Sequence, residues 1–549
     1  MFLEVRHVDV LVVGAGFAGI YALKKFRDDL DLEVVAIEAG DTAGGTWYWN
    51  RYPGARCDSD GHLYCYSFDE DLLQDWEIQG KFPTQPELLR YLNHVVDRFG
   101  LRKDIIFGTR VETCKYDESR ALWRITTSDN RHFTANYFVP CVGTLSIAKY
   151  VPNIPGIESF RGQWCHTADW PEDLKYSGKR IGVIGTGSSG VQTIPVLAET
   201  AAHLYVFQRS AQYSLPARHE TATPEFYRAV KSRYGEIWDA ARKSAGGFPW
   251  EHNGRRALDD SAEKRERVYE ALYAEGGLKF ALASYRAISY DLEANKTVSE
   301  FVRRKIRERV KDADLADKLT PDFPFLARRL ILDTNYFETY NNDNVTLVDV
   351  KADPIVRFTP DGIQTENGEF LLDLVVFATG FDAVTGPFRG IDIRGRSGLA
   401  LTEAWANGPQ TYLGVQIANF PNMFLVAGPG ATVGNLPLTI ETHVDWIADC
   451  IRFARENGIT TVEASADSQR EWSDHITGIA ERSVMKYSDS WYNGSNIPGK
   501  ARAFLFYLGH FGKYRQVLAD TADQGYPGFF LDGQPISPEE GSSVWQSTG

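Results

Sequence analysis

The chain has 549 residues, 43% of them hydrophobic and 24% charged, with a formal net charge of −14 and a pI near 5.4. That length exceeds what one simple core holds and implies two or three domains, while the acidic balance gives no electrostatic reason to seek nucleic acid or an anionic membrane. Six cysteines (Cys57, Cys65, Cys114, Cys141, Cys165 and Cys450) form no C-x-x-C pair, and the 11 histidines form no ligand-spaced pair, so zinc, other metal and disulfide frameworks are not expected.

The chain enters at once on a strand-like run, Val8 to Val13, with no basic and apolar leader before it. No apolar run approaches the ~20 residues that span a bilayer, and a soluble cytoplasmic protein is the expectation. Gly14-Ala15-Gly16-Phe17-Ala18-Gly19 follows the first strand and opens a helix; a second strand, Val34–Ile37, ends at Glu38. This is a βαβ unit of the dinucleotide-binding kind. Glycines allow a tight turn and close approach of backbone N–H groups to a pyrophosphate at the helix N-terminus. A lone G-x-G-x-x-G is weak evidence. Glu38, 19 residues past Gly19, strengthens it, because a carboxylate there accepts from ribose hydroxyls and repels a 2′-phosphate.

The pattern returns with the strand Arg180–Ile184, the turn Gly185-Thr186-Gly187-Ser188-Ser189-Gly190, a helix and the strand Leu204–Phe207. Here the residue 19 past Gly190 is Arg209, followed by Ser210. The charge has reversed sign, and a cation beside a hydroxyl suits a 2′-phosphate. The first site therefore wants FAD or NAD and the second NADP, which implies hydride transfer from NADPH to a flavin. Residues 221–327 are rich in Arg, Lys, Glu and Ala at helical spacing and read as a helical insertion whose basic residues lie on solvated faces. Strand signals resume at Val345–Val348, Leu374–Ala378 and Met423–Ala427, and residues 525–549, rich in Gly, Pro and Ser, are expected at the surface.

Two longer motifs carry a family resemblance. Phe160-Arg161-Gly162-Gln163-Trp164-Cys165-His166-Thr167-Ala168-Asp169-Trp170-Pro171 reads F-x-G-x-x-x-H-x-x-x-W-P, and Gly45-Thr46-Trp47 through Tyr52-Pro53-Gly54 to Asp58 reads G-x-W-x-x-x-x-Y-P-G-x-x-x-D. Together with the two turns, in this order, they resemble the type I Baeyer–Villiger monooxygenases over about residues 8–515. The resemblance implies an α/β fold of two Rossmann-like domains with a helical insertion. FAD would be bound by 1–145 and 382–549, NADP by 146–220 and 328–381, and the insertion would be 221–327. It implies oxidation of a ketone to an ester or lactone with NADPH and O2, through a C4a-peroxyflavin, in a monomer or weak dimer.

The resemblance also assigns residues. Arg329, in Arg328-Arg329-Leu330-Ile331-Leu332-Asp333, matches the active-site arginine, and Asp58 the carboxylate that orients it. A fixed cation stabilises the anions of the reaction, and Arg holds its proton more firmly than Lys. Arg328 stands where the family usually has Lys, and it can still contact the 2′-phosphate. For FAD the resemblance adds Ala18, Thr46, Trp47, Tyr48, Trp49, Tyr64 and Leu436. For NADP it adds Arg56, Cys57, Val191, and Trp491 in a hinged lid running to Lys500. His166 is read as structural or coupling-related. Leu145, Pro429 to Asn435 and Trp491 would give an apolar substrate pocket with an aromatic wall.

Two rival readings remain open. An N- or S-oxygenating flavin monooxygenase shares the glycine turns and needs no fixed cation, and a non-catalytic FAD/NADP redox sensor would yield no oxygenated product.

Overall fold

The computed structural model describes residues 5–145 and 149–536; the end of the chain expected at the surface lies, from residue 537 on, outside the described residues. Two sheets organise it. The first has seven strands. Val5–Val13 is paired in parallel with both Val34–Ile37 and His132–Pro140. Ile105–Ile106 extends one side, and Leu122–Thr127 and Val111–Asp117 extend the other. Val8 and Val10–Val13 are buried although adjacent residues point to opposite faces, because helices cover one face and the Trp123, Phe138 and Met423 cluster covers the other. The seventh strand, Asp392–Arg394, comes from far along the chain and pairs in parallel with Val111–Asp117.

The second sheet has five strands, all parallel, in the order Val345–Asp349, His203–Gln208, Arg180–Ile184, Leu374–Phe377, Gln163–His166. Each sheet carries its glycine turn at the carboxyl end of a central strand, where ligands bind in open parallel sheets. The chain leaves the first sheet after Pro140 and returns to it before Asp392. The two connectors meet at residues 144 and 149–150 of the first and 380–384 of the second. Lys149 bridges Phe381, Tyr150 N–H donates to Gly380 C=O at 2.9 Å, and Val384 N–H donates to Thr144 C=O at 3.2 Å.

Between the strands of the second sheet lie the helices Pro224–Lys231, Tyr234–Lys243, Ala262–Glu275, Lys279–Leu282, Leu292–Arg309 and Ala313–Lys318. Their basic residues are mostly paired with carboxylates, such as Arg304 with Glu266 and Lys305 with Glu270. Two leave the solvated face: Lys305 keeps 16% of its side chain exposed, and Arg309 keeps 14% and binds Asp333, which keeps none. That pair pins the helical segment to the strand Ile331–Asp333, just after the two consecutive arginines.

One sequence expectation fails. Met423–Ala427 is not a ladder strand; Met423 bridges Phe138 and Phe424 bridges Gln416 singly. Asn422 (φ 56°) and Ala427 (φ 50°) take left-handed conformations at its ends and break the extended run. All six cysteines are buried and unbridged. Among the described residues no helix is long and apolar enough to cross a membrane, and no cluster of side chains is spaced to hold a metal.

Candidate active site

The first glycine turn is built as its sequence requires. Gly14 has φ +102°, and a Cβ there would stand 2.5 Å from the Cys141 carbonyl oxygen; a Cβ on Gly19 would stand 1.8 Å from that of Gly14. The helix Phe17–Lys24 begins on Gly16 with no side-chain cap, leaving its first amides directed outward. They open on a cavity of about 310 Å3 lined by Gly14, Gly16, Ala18, Glu38, Thr46, Trp47, Trp49, Tyr64 and Leu436. The cavity fits a bound flavin nucleotide: it joins a helix N-terminus to aromatic walls, and the Trp47 indole Nε1 is buried there without a hydrogen-bond partner.

Glu38 is 4% exposed and accepts from the amides of Ala15 at 2.6 Å and Gly40 at 2.7 Å. Burial raises its pKa against the pull of those amides. Its carboxylate is thus oriented by the turn itself, with lone pairs left for a ribose. Arg110 and Glu112, which no motif marks, line the same cavity. Tyr48 does not: its ring lies under the Arg51 guanidinium, 4.8 Å from it.

The second turn repeats the construction. Gly185 has φ +108°, and a Cβ on Gly190 would meet the Gly185 carbonyl oxygen at 2.4 Å. A Cβ on Gly187 would meet nothing within 4 Å, so the space over the middle glycine is open. The helix Ser188–Ala198 starts there, and Thr186 Oγ1 donates to the Ser210 carbonyl at 3.2 Å. Arg328 reaches the same corner, donating to Ser210 Oγ at 3.2 Å, with its guanidinium over the Phe323 ring at 4.3 Å. Burial, then the charge of exposed Arg209, lowers the Arg328 pKa. Two cations and a hydroxyl therefore stand at this corner, with the Asp322 and Asp489 carboxylates acting on Arg328 less strongly than Arg209 does, which suits a phosphate dianion.

Arg56, Cys57, Asp58 and Val191 line a different cavity, of about 440 Å3, which runs along the helix through Gln192, Pro195 and Glu199. Gln192 ties the walls together, accepting from the Tyr52 hydroxyl at 2.7 Å and donating to the Arg56 carbonyl at 3.0 Å. The Arg56 Nη1 is buried without a partner, as expected of a group awaiting an anion. Burial pushes the Cys57 thiol well above its ordinary pKa, which favours the protonated form over the nucleophilic thiolate.

Asp58 and Arg329, 271 residues apart, meet with Arg329 Nη2 donating to Asp58 Oδ2 at 2.5 Å. Arg329 keeps 35% of its side chain accessible and Asp58 18%, enough for the cation to meet a ligand while its partner aims it. The Asp58 charge raises the Arg329 pKa further, against burial, and the Tyr492 phenol adds to it. Sequence reasoning passed over Tyr492. It is 6% exposed and packs on Trp491 (ring centroids 4.5 Å) and Phe506 (5.4 Å). Trp491 itself is half-buried against Phe506. The same loop reaches Arg328, whose Nε donates to Ser488 Oγ at 2.7 Å.

His166 stands apart from this chemistry. Its Nδ1 accepts from the Ala168 amide at 3.0 Å, which leaves Nε2–H to donate to the Gly380 carbonyl at 3.1 Å. Burial lowers its pKa to about 4. A neutral ring with both nitrogens bonded to backbone fastens the end of one strand to the returning connector.

The flavin-binding monooxygenase-like family model matches residues 7–237. The cyclohexanone 1,2-monooxygenase of an Acinetobacter species is 43% identical over 95% of this chain and 96% of its own length. The phenazine N-monooxygenase of Lysobacter antibioticus is 42% identical over 97% and 98%. The crystal structure of cyclohexanone monooxygenase from Rhodococcus sp. Phi1 bound to NADP+ superposes with a TM-score of 0.94 at 44% identity, covering 96% of this chain and 99% of that one. With the two glycine turns, the paired Asp58 and Arg329 and relatives matched end to end, the chain belongs to the Baeyer–Villiger group of the flavin-binding monooxygenases.

Proposed function

We propose that the protein uses FAD, NADPH and O2 to convert a ketone to an ester or lactone, with Arg329 as its catalytic cation and Asp58 as the group that aims it. The observation that carries this reading is the partly accessible Arg329–Asp58 pair, joined at 2.5 Å, with Asp58 lining the cavity along the second glycine helix. Residues 1–145 and 382–549 would form the FAD domain, 146–220 and 328–381 the NADP domain and 221–327 the helical insertion. The enzyme would be cytoplasmic, a monomer or weak dimer, with no nucleic-acid or membrane partner.

In this reading the amides of Gly16 and Ala18 meet the FAD pyrophosphate, and Glu38 holds its ribose. Thr46, Trp47, Trp49, Tyr64 and Leu436 wall the ring system. The amides from Gly187 to Gly190 take the NADP pyrophosphate, while Arg209, Ser210 and Arg328 take its 2′-phosphate. Bound FAD supplies two-electron exchange with NADPH and the activation of O2. Arg329 places a permanent positive charge where negative charge gathers on the transferred oxygen and on the ketone oxygen. Such a charge works best where it is oriented in advance and water is held out.

Replacing Arg329 with Ala should abolish ester formation and leave NADPH oxidation running; product analysis by mass spectrometry that still finds ester would overturn the assignment. The phenazine N-monooxygenase relative favours a second reading, oxygenation of an aromatic nitrogen. Nitrogen needs no stabilised alkoxide, so the Arg329→Ala variant would keep N-oxide formation under that reading.

A further inference from the structure

One wall residue of the first cavity is held in a backbone conformation that few residues other than glycine and asparagine adopt. Ala427, which lines that cavity together with Val426, has φ 50°. Its N–H donates to His443 Nδ1 at 3.2 Å. We propose that His443 is a positioning residue for the flavin, holding the Val426–Ala427 peptide turned so that the Val426 carbonyl is left to accept from an N–H of the flavin ring system. The proposal rests on the reading of this cavity as the FAD site.

Counting protons fixes every role around the ring. A backbone N–H only donates, so Nδ1 accepts and the imidazole proton sits on Nε2. Nε2 lies 2.6 Å from the Tyr514 oxygen, and the Tyr514 hydroxyl spends its one proton on the Leu413 carbonyl at 2.6 Å. The phenol oxygen therefore accepts from Nε2–H. The other tautomer would set two protons against each other at Ala427 and leave Nε2 facing a phenol with no proton to give. His443 is fully buried, and burial lowers its pKa to about 4, so the ring stays neutral. Leu413, at the far end of the relay, is also left-handed at φ 57°, so one run of hydrogen bonds ties down two strained turns.

The helix Leu436–Glu456 delivers the imidazole. Leu436, Ile440 and His443 follow one another at spacings of four and three and so share a face of that helix, and the first two line the cavity. The Tyr514 ring is buried and stacked on Tyr507, with ring centroids 5.4 Å apart, which fixes the phenol that receives Nε2–H. The Val426–Ala427 peptide is trans and planar, so its C=O points away from His443 as its N–H points toward it. That carbonyl makes no hydrogen bond among the described residues, although Val426 is buried. A buried acceptor at a cavity wall takes its partner from whatever fills the cavity, and a flavin ring carries one imide N–H as donor.

The test compares His443→Asn with His443→Leu, two side chains of nearly equal size of which only Asn carries an acceptor at the place of Nδ1. His443→Leu should weaken FAD binding about tenfold, the loss of one buried hydrogen bond, and shift the visible absorption of the bound flavin. His443→Asn should keep the wild-type spectrum and bind FAD within about threefold of wild type. A role in packing alone would affect both variants equally, because both lose the ring. Tyr514→Phe keeps both rings and takes the acceptor from Nε2–H, and should weaken FAD binding about fivefold. Wild-type affinity and spectrum in His443→Leu, or equal losses in the Asn and Leu variants, would overturn the proposal. If neither His443 variant folds, Tyr514→Phe decides alone, with wild-type affinity and spectrum refuting it. A wild-type protein that takes up no FAD would instead refute the reading of the cavity.

Discussion

Removing the Arg328 guanidinium should cost this protein its preference for NADPH over NADH. Arg328 is half-buried, stacked on Phe323 at 4.3 Å and aimed by Ser210 and Ser488, so little ordering remains to be done when a phosphate arrives. A charge-assisted contact of that quality is worth about 2–3 kcal/mol, or roughly 30- to 150-fold in affinity at 1.4 kcal/mol per factor of ten. Arg209 is exposed and screened, so its contact should contribute nearer 1 kcal/mol, roughly fivefold. Arg328→Ala should therefore weaken NADP+ binding by about two orders of magnitude and Arg209→Ala by less than one. NADH binding should change by less than about threefold in either, because NADH brings no phosphate to that corner. Arg328→Lys should fall between, since it keeps the charge and loses the fork that reaches Ser210 and Ser488 together. Fluorescence titration with both oxidised cofactors, alongside kcat/KM for NADPH and NADH, measures this directly. Equal losses for the two cofactors would show that Arg328 supports the fold and does not read the phosphate.

Two further outcomes follow from particular atoms. Gly187→Ala should fold with unchanged thermal stability, because its Cβ meets nothing within 4 Å and its φ of −79° suits any residue. It should weaken NADP+ binding about tenfold by standing where the pyrophosphate meets the helix; wild-type affinity, measured by the same titration, would exclude that path for the dinucleotide. Glu441 is 5% exposed on the helix Leu436–Glu456, and burial raises its pKa to about 7 despite the Ser67 amide and hydroxyl that donate to it. A carboxyl whose folded pKa lies above its unfolded value binds more protons when folded, so stability falls as pH rises from about 4.5 to 7. Thermal melts should show that decline, and Glu441→Gln should flatten it; a melt series with the same slope in both proteins would rule this out.

The nucleotide corners were legible because their determinants are local. Turn glycines, the helix they open and the last residue of the next strand lie within one unit, so Glu38 and Arg209 declare their preferences from spacing alone. The Asp58–Arg329 contact spans 271 residues and came from resemblance, not from any local pattern. Tyr492 and Ser488 were passed over for a related reason: an aromatic and a small polar residue in a loop carry no signal until the fold lays that loop over the arginines. Met423–Ala427 read as a strand because its composition is right, but single bridges and left-handed ends prevent a ladder. Arg309 read as surface charge because its sequence neighbours are surface charges; only the position of Asp333 shows that it is a buried pin. Tyr48, which resemblance grouped with the flavin wall, instead covers Arg51 outside the cavity.

The paired connectors between the sheets have a mechanical consequence. Two segments of chain cross from one sheet to the other, and they are laced to each other at Thr144 with Val384, at Lys149 with Phe381 and at Tyr150 with Gly380. A single connector would let the second sheet swing in any direction. A laced pair behaves as a ribbon, in which neither segment can shift without the other. The same two parts are also tied by Asp58 with Arg329 and by Gln192 with Tyr52 and Arg56, so the ribbon is one of several links that hold the nucleotide corners in register. His166 and Lys500 fasten to the same few residues of that ribbon, which joins the strand Gln163–His166 to the loop that holds Arg328.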